Sequence, residues 1–263
     1  HYFNNEDYLA TKGSLRGNSV SLLAYVAGAG SAASQSIANA TRTTNVVFYK
    51  TPDFGPFWMI VAYSANPFAA EADINSTVRR GNAWNLNPNF SGQNWQVGYS
   101  YWTAKQDNAT AVAAAVGGTA QAAGDQRGDR LYGHYEWNGF RVGLAWDKSK
   151  IKNSVTGVAI NNRSAWSIPL SYNWGNNTIF AHFDRAGNDK AFAAGTNSKA
   201  TMFAVSYAYD LSKRTSVAVT YARINNSANS NYNLFTATSL GVGVAPAAGE
   251  DPRLFSITMR HAY

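Results

Sequence analysis

Between Thr201 and Arg223 the side chains alternate in size with a period of two, on both sides of a short polar break. Before the break, Phe203, Val205, Tyr207 and Tyr209 alternate with Met202, Ala204, Ser206 and Ala208. After Leu211-Ser212-Lys213-Arg214, Val217, Val219 and Tyr221 alternate with Ser216, Ala218, Thr220 and Ala222. Successive side chains of a strand point to opposite faces, so this stretch predicts two strands with one large apolar face and one small, weakly polar face. A soluble sandwich would bury the large face and set solvated charges on the other. Here the second face is almost free of charge. The pattern suits a wall with lipid on one side and water on the other, and it recurs along the chain.

Composition narrows the choice. The 263 residues allow one large domain, and 45% hydrophobic residues suffice for a core. Yet mean hydropathy is −0.29, and no apolar run is long enough for a membrane helix. A spanning chain of this kind must be a barrel, whose strands need only about ten alternating residues each. Aromatics reach 14% and charged residues only 14%, low for a soluble surface. The lack of cysteine excludes a disulfide framework, a thiol nucleophile and a thiolate metal site. The net charge of +7 favours anionic partners without identifying them. No initiator Met and no basic-then-apolar leader precede the chain, which reads as either processed or lacking its N-terminal part.

Residues 1–41 are not strand-like: a polar, sparsely aromatic opening leads through a short apolar run into a Gly/Ala/Ser/Asn-rich stretch. From Arg42 the rhythm becomes strand, short turn, strand, long loop. Strands are expected at 42–51, 57–66, 83–90, 94–104, 129–137, 140–149, 164–174, 177–185, 200–210, 215–225 and 253–263. The short connectors include Asn138-Gly139, the dipeptide of a tight hairpin turn, in which both central residues need positive φ. Long connectors near 67–82, 105–128, 150–163, 186–199 and 226–252 alternate strictly with short ones, which puts all long loops on one rim. This is the meander of an all-β, antiparallel up-and-down transmembrane barrel.

Aromatic residues stand where membrane interfaces require them. Tyr49, Phe90, Trp137, Trp174, Tyr209 and Tyr263 fall beside the short turns; Tyr63, Tyr101, Trp146, Trp166 and Tyr221 fall towards the long loops. Two such rings around an aliphatic band anchor a barrel at headgroup level. A soluble sandwich with a Tyr-rich face is the alternative, disfavoured because exposed aromatic stripes of this extent are rare on soluble monomers. The first and eleventh strands run the same way, so eleven cannot close an antiparallel barrel. Residues 12–27 would have to supply a twelfth strand, or several strands precede His1; the second is expected.

Three stretches carry a family resemblance: residues 45–55, beginning Asn45-Val46-Val47-Phe48-Tyr49; the hairpin Tyr209-Asp210-Leu211-Ser212-Lys213-Arg214-Thr215; and the end Met259-Arg260-His261-Ala262-Tyr263. The chain resembles a general, non-specific Gram-negative outer-membrane porin, especially the beta-proteobacterial trimeric type. The resemblance implies a barrel of about sixteen strands enclosing an aqueous channel, with Arg42 opening the sixth. It also implies an outer-membrane location, a homotrimer and contact with membrane lipid and lipopolysaccharide. Residues 1–41 then resemble the loop that folds inward to narrow the pore, whose charges are Glu6, Asp7 and Arg16. The last residue is Tyr where the family usually has Phe.

Strand parity selects the residues facing the lumen: Arg130, Tyr132, His134 and Glu136; Arg141 and Asp147; Phe180, His182 and Asp184; Ser256, Thr258 and Arg260; and Asn85, Asn87 and Asn89. Lumen arginines concentrate anions through the field of the pore. Alternatively they are struts, with Arg130 paired to Glu136 or Asp147. The expected function is passive diffusion of small hydrophilic solutes with a moderate anion preference. The competing reading is a substrate-specific channel or an adhesion barrel that binds a partner through its long loops.

Other chemistries lack their context. His1, His134, His182 and His261 show no metal-ligand spacing, and no cofactor is expected. No Gly-x-Ser-x-Gly elbow precedes a helix, and Gly241-Val242-Gly243 lacks the helix and basic residue of a phosphate loop, so no enzyme is expected. Lys and Arg are dispersed rather than clustered, against a nucleic-acid partner.

Overall fold

The computed structural model describes residues 45–65, 81–106, 125–153, 156–232 and 246–262. They form eleven strands: β1 (Val46–Lys50), β2 (Phe57–Ser64), β3 (Gly81–Ser91), β4 (Trp95–Gln106), β5 (Asp125–Trp137), β6 (Phe140–Lys152), β7 (Ala159–Trp174), β8 (Asn177–Ala186), β9 (Ala200–Asp210), β10 (Thr215–Asn226) and β11 (Arg253–His261). All belong to one antiparallel sheet in strict chain order, β1 to β11. Each strand of the expected meander is present. The first and last strands are the sheet's two edges, and among the described residues no pairing joins them.

The opening hairpin shows how the pattern becomes structure. In the β9–β10 register Tyr209 faces Val217, Tyr207 faces Val219 and Val205 faces Tyr221, while Ala208, Ser206 and Ala204 meet Ala218, Thr220 and Ala222 on the other side. Phe255, Ile257 and Met259 of β11 continue the large face beside Tyr221, Val219 and Val217. That face points outward. Leu144 is 58% exposed and the next residue, Ala145, 0%. The exposed set runs around the sheet through Trp84, Leu86, Val97, Leu131, Val142, Leu170, Ile179 and Phe203. The buried face is lined instead by Ala145, Ala165, Ala204, Ala208, Ala218 and Ala222 with Phe180 and Tyr132. Such an inversion is stable only where the outer solvent is hydrocarbon.

Turn chemistry fixes the register at the short rim. Asn138 and Gly139 both adopt positive φ, 46° and 82°, as their hairpin turn requires. At the β9–β10 turn, the Ser212 hydroxyl accepts hydrogen bonds from the backbone N–H of Arg214 (3.2 Å) and Thr215 (3.1 Å). At the opposite rim, Asp189 ties down the β8–β9 connection. Its Oδ1 accepts from the N–H of Asn162 (2.7 Å) and Ala191 (2.9 Å), and its own N–H donates to Ser198 Oγ at 2.8 Å.

Strand ends depart from expectation mainly at the long-loop rim. β5 begins at Asp125 rather than 129, β6 runs to Lys152 rather than 149, and β7 starts at Ala159 rather than 164. Apolar alternation stops at the membrane boundary, but backbone pairing continues into water.

Candidate pore-facing site

The inward face is polar and densely cross-linked. On β3, Asn85, Asn87 and Asn89 share this face and are fully buried. Asn85 Nδ2 donates to Ser100 Oγ (2.9 Å) and the Tyr101 carbonyl (2.7 Å), and Asn87 Nδ2 to the Tyr99 carbonyl (2.8 Å). Tyr132 reaches from β5 across β4 to this ladder, its hydroxyl donating to Asn89 Oδ1 at 2.8 Å and accepting from Asn87 Nδ2 at 3.0 Å. It can do so because Gly98 lies between. A Cβ there would collide with the Tyr132 ring and Asn89 Oδ1.

The charged residues on this face are largely matched across strands. Arg130 and Asp147 are direct cross-strand partners, with Nε 3.1 Å from Oδ2, and both are buried. The Ser149 hydroxyl also donates to Asp147. Three inward pairs nearer the short rim, Arg141 Nε lies 3.0 Å from Glu136 Oε1, with His134 Nε2 3.5 Å from the same carboxylate. His182 Nδ1 lies 2.9 Å from Asp184 Oδ1 on the next inward position of β8. The strut reading thus describes Arg130 well, whereas Arg141 and Glu136 remain partly accessible. Arg141, Glu136, Asn173 and Phe180 line an open recess of about 460 Å³ at the short rim. Arg260 is exposed at that rim, in a second recess with Lys213, Arg214 and Asp210.

Three charged inward residues escaped sequence reasoning, Asp210 at the end of β9 among them. Arg163 falls in β7 because the strand begins early; it is 2% exposed, and its guanidinium sits 5.4 Å from the Tyr232 ring centroid. Lys50 shares the inward side of β1 and stands 4.7 Å from the Trp58 ring centroid. With them, the described strands place five cations (Lys50, Arg130, Arg141, Arg163, Arg260) and four carboxylates (Glu136, Asp147, Asp184, Asp210) on the inner face, a surplus of one. The whole-chain surplus of seven therefore lies mostly elsewhere. Glu6, Asp7 and Arg16, the expected constriction charges, lie outside the described residues.

The fold recurs in solved outer-membrane proteins. In-vitro folded OmpT of Vibrio cholerae superposes with a TM-score of 0.61 at 14% identity, covering 83% of this chain and 64% of that one. The outer membrane channel DcaP of Acinetobacter baumannii gives 0.54 at 9% identity, covering 91% and 71%. A porin structure refined at 1.8 Å gives 0.52 at 12% identity, covering 81% and 61%. The chain thus spans less than two thirds of the length of its OmpT relatives. No curated protein sequence matches it. A family model described as Gram-negative porin matches residues 4–229, most of the chain. With its lipid-facing exterior and polar inner wall, this outer-membrane chain belongs to the Gram-negative porin family.

Proposed function

We propose that the protein is a passive diffusion channel for small hydrophilic solutes across the bacterial outer membrane. The observation that carries this reading is the inversion of its faces: a continuous apolar and aromatic exterior against an inner wall of Asn, Ser, Arg and Asp. An inner wall of fixed, cross-linked polar groups lowers the barrier to hydrated solutes without offering one of them a dedicated site. No catalytic role is assigned to any residue: His134 and Glu136 accompany Arg141, Asp147 pairs with Arg130, and His182 pairs with Asp184. Family membership supports assembly as a homotrimer in a membrane of lipid and lipopolysaccharide.

The near balance of charge on the described wall makes its contribution to anion preference weak rather than moderate. The accessible carriers of that preference are Lys50, Arg141 and Arg260; Arg130 is neutralised in place by Asp147. Single-channel recording tests the main claim. A large ohmic conductance without saturable block by any one solute is expected. Block at low concentration of a single solute would instead establish a substrate-specific channel.

A further inference from the structure

We propose that Tyr232 sets a size limit at the long-loop mouth of the pore, by bridging the inner wall from β10 to Arg163 of β7; this rests on the diffusion-channel reading above. One inward row crosses four strands at that rim. Ala165 of β7 faces Ala186 of β8, Ala186 faces Ala200 of β9, and Ala200 faces Asn226 of β10. The three alanines make a shallow bed between Asn226, at the end of β10, and Arg163, the next inward residue of β7 towards the rim. Neighbouring strands lie about 4.8 Å apart, so the row is roughly 14 Å wide from β7 to β10. All three alanines are buried, and Tyr232 is buried in the same cluster. A loop tyrosine that rose outward from the rim would stand in water.

Both ends of the bridge are held. Tyr232 follows the end of β10 by six positions, yet its ring centroid lies 5.4 Å from the Arg163 guanidinium, with β8 and β9 between. At the β10 side Asn226 grips the Tyr232 backbone: its Oδ1 accepts from the Tyr232 N–H at 3.0 Å, and its Nδ2 donates to the Tyr232 carbonyl at 2.9 Å. The same Nδ2 donates to the Glu250 carbonyl at 2.7 Å, which ties together the two ends of the β10–β11 connection. Between these points the Ser227 N–H donates to the Lys199 carbonyl (3.0 Å) and the Asn229 N–H to the Asn197 carbonyl (3.1 Å). The loop root is thereby fixed to the β8–β9 connection, itself anchored on β7 through Asp189. A cation over an aromatic face is attracted most strongly where water is excluded, and here both groups are buried. Ring and guanidinium, meeting over the alanine bed, occupy space that a hydrated solute would otherwise use, and pore width selects by size.

The full-length protein is reconstituted in liposomes, and entry of two uncharged probes, arabinose and raffinose, is followed by swelling. Neutral sugars keep the readout independent of the charge on Arg163. Tyr232→Ala should raise the ratio of raffinose to arabinose rates at least twofold, whereas Tyr232→Phe, which keeps the ring face, should leave it unchanged. Arg163→Gln should raise the ratio as well, and the double variant should go no further than the larger single effect, because both remove one contact. Asn226→Ala loosens the Tyr232 backbone without altering ring or guanidinium and should act in the same direction. Hydrogen exchange at the Ser227 and Asn229 amides should quicken in Tyr232→Ala. An unchanged ratio or unchanged exchange in that variant overturns the inference, as does a Tyr232→Phe protein that behaves like Tyr232→Ala, or additive effects in the double variant. Arabinose failing to enter through the unmodified protein overturns the channel reading and this inference with it. Arabinose entering while the ratio stays fixed in Tyr232→Ala overturns the inference alone.

Discussion

At the scale of single residues, the Arg130–Asp147 pair shows what a pore wall demands of its charges. Both side chains are nearly inaccessible, at 5% and 1%. Withdrawing two ions from water is costly, and the cost is offset only by close geometry and added hydrogen bonds, here including that from Ser149. Removing one partner is worse than replacing both. Asp147→Ala is expected to destabilise the folded protein by about 3 kcal/mol, because it removes the carboxylate opposite a buried guanidinium. Urea unfolding in lipid vesicles measures this, and a loss below about 1 kcal/mol would contradict the buried-strut reading. Sequence parity placed both groups on the inner face. It could not rank Asp147 above Glu136 as the partner of Arg130, since that choice depends on the β5–β6 register, which sets Arg130 opposite Asp147 and Glu136 opposite Arg141.

At the scale of elements, β3, β4 and β5 act as one unit through Gly98. The missing side chain on β4 makes a slot through which Tyr132 lies flat along the wall and reaches Asn87 and Asn89. Gly98→Val is therefore expected to cost about 1–3 kcal/mol through overpacking, visible as a lower temperature at which the folded electrophoretic band is lost. Placing Gly98→Val in a Tyr132→Ala background should recover much of the loss that Gly98→Val adds to the unmodified chain. Equal penalties in the two backgrounds would rule out the slot. Nothing in the stretch around Gly98 marks it out, because a glycine at an inward position of a small-residue face looks like any other. Its role exists only once the registers of two strand pairs bring Asn89, Gly98 and Tyr132 into one row.

At the scale of the whole molecule, the proposed channel function makes the distribution of charge the determinant of permeation. The inner wall is nearly balanced, and outward cations crowd the long-loop rim. In the intact protein the reversal potential in a salt gradient should show a small anion preference. That preference should decline as salt rises, since the Debye length is already about 8 Å at physiological ionic strength. Arg141→Glu, at an accessible inward position, should reduce it or reverse its sign, whereas Lys148, Lys150 and Lys152, on the outward side of β6, should affect it little. A clear cation preference at low salt would refute this assignment.

The sequence by itself determined the class of fold, the number and order of strands from Val46 onward, and which face of each meets lipid. Those features follow from a period of two, which is local and survives in a single chain. The Asn138-Gly139 turn was equally legible, because positive φ is a property of those residues. Tertiary structure alone decided how far each strand extends past the membrane and which inward groups touch. The apolar signal ends where lipid ends, so Asp125, Arg127, Lys150, Lys152 and Arg163 looked like loop. Hydrogen bonding between neighbouring strands does not depend on side-chain polarity, and it carries those residues onto the wall.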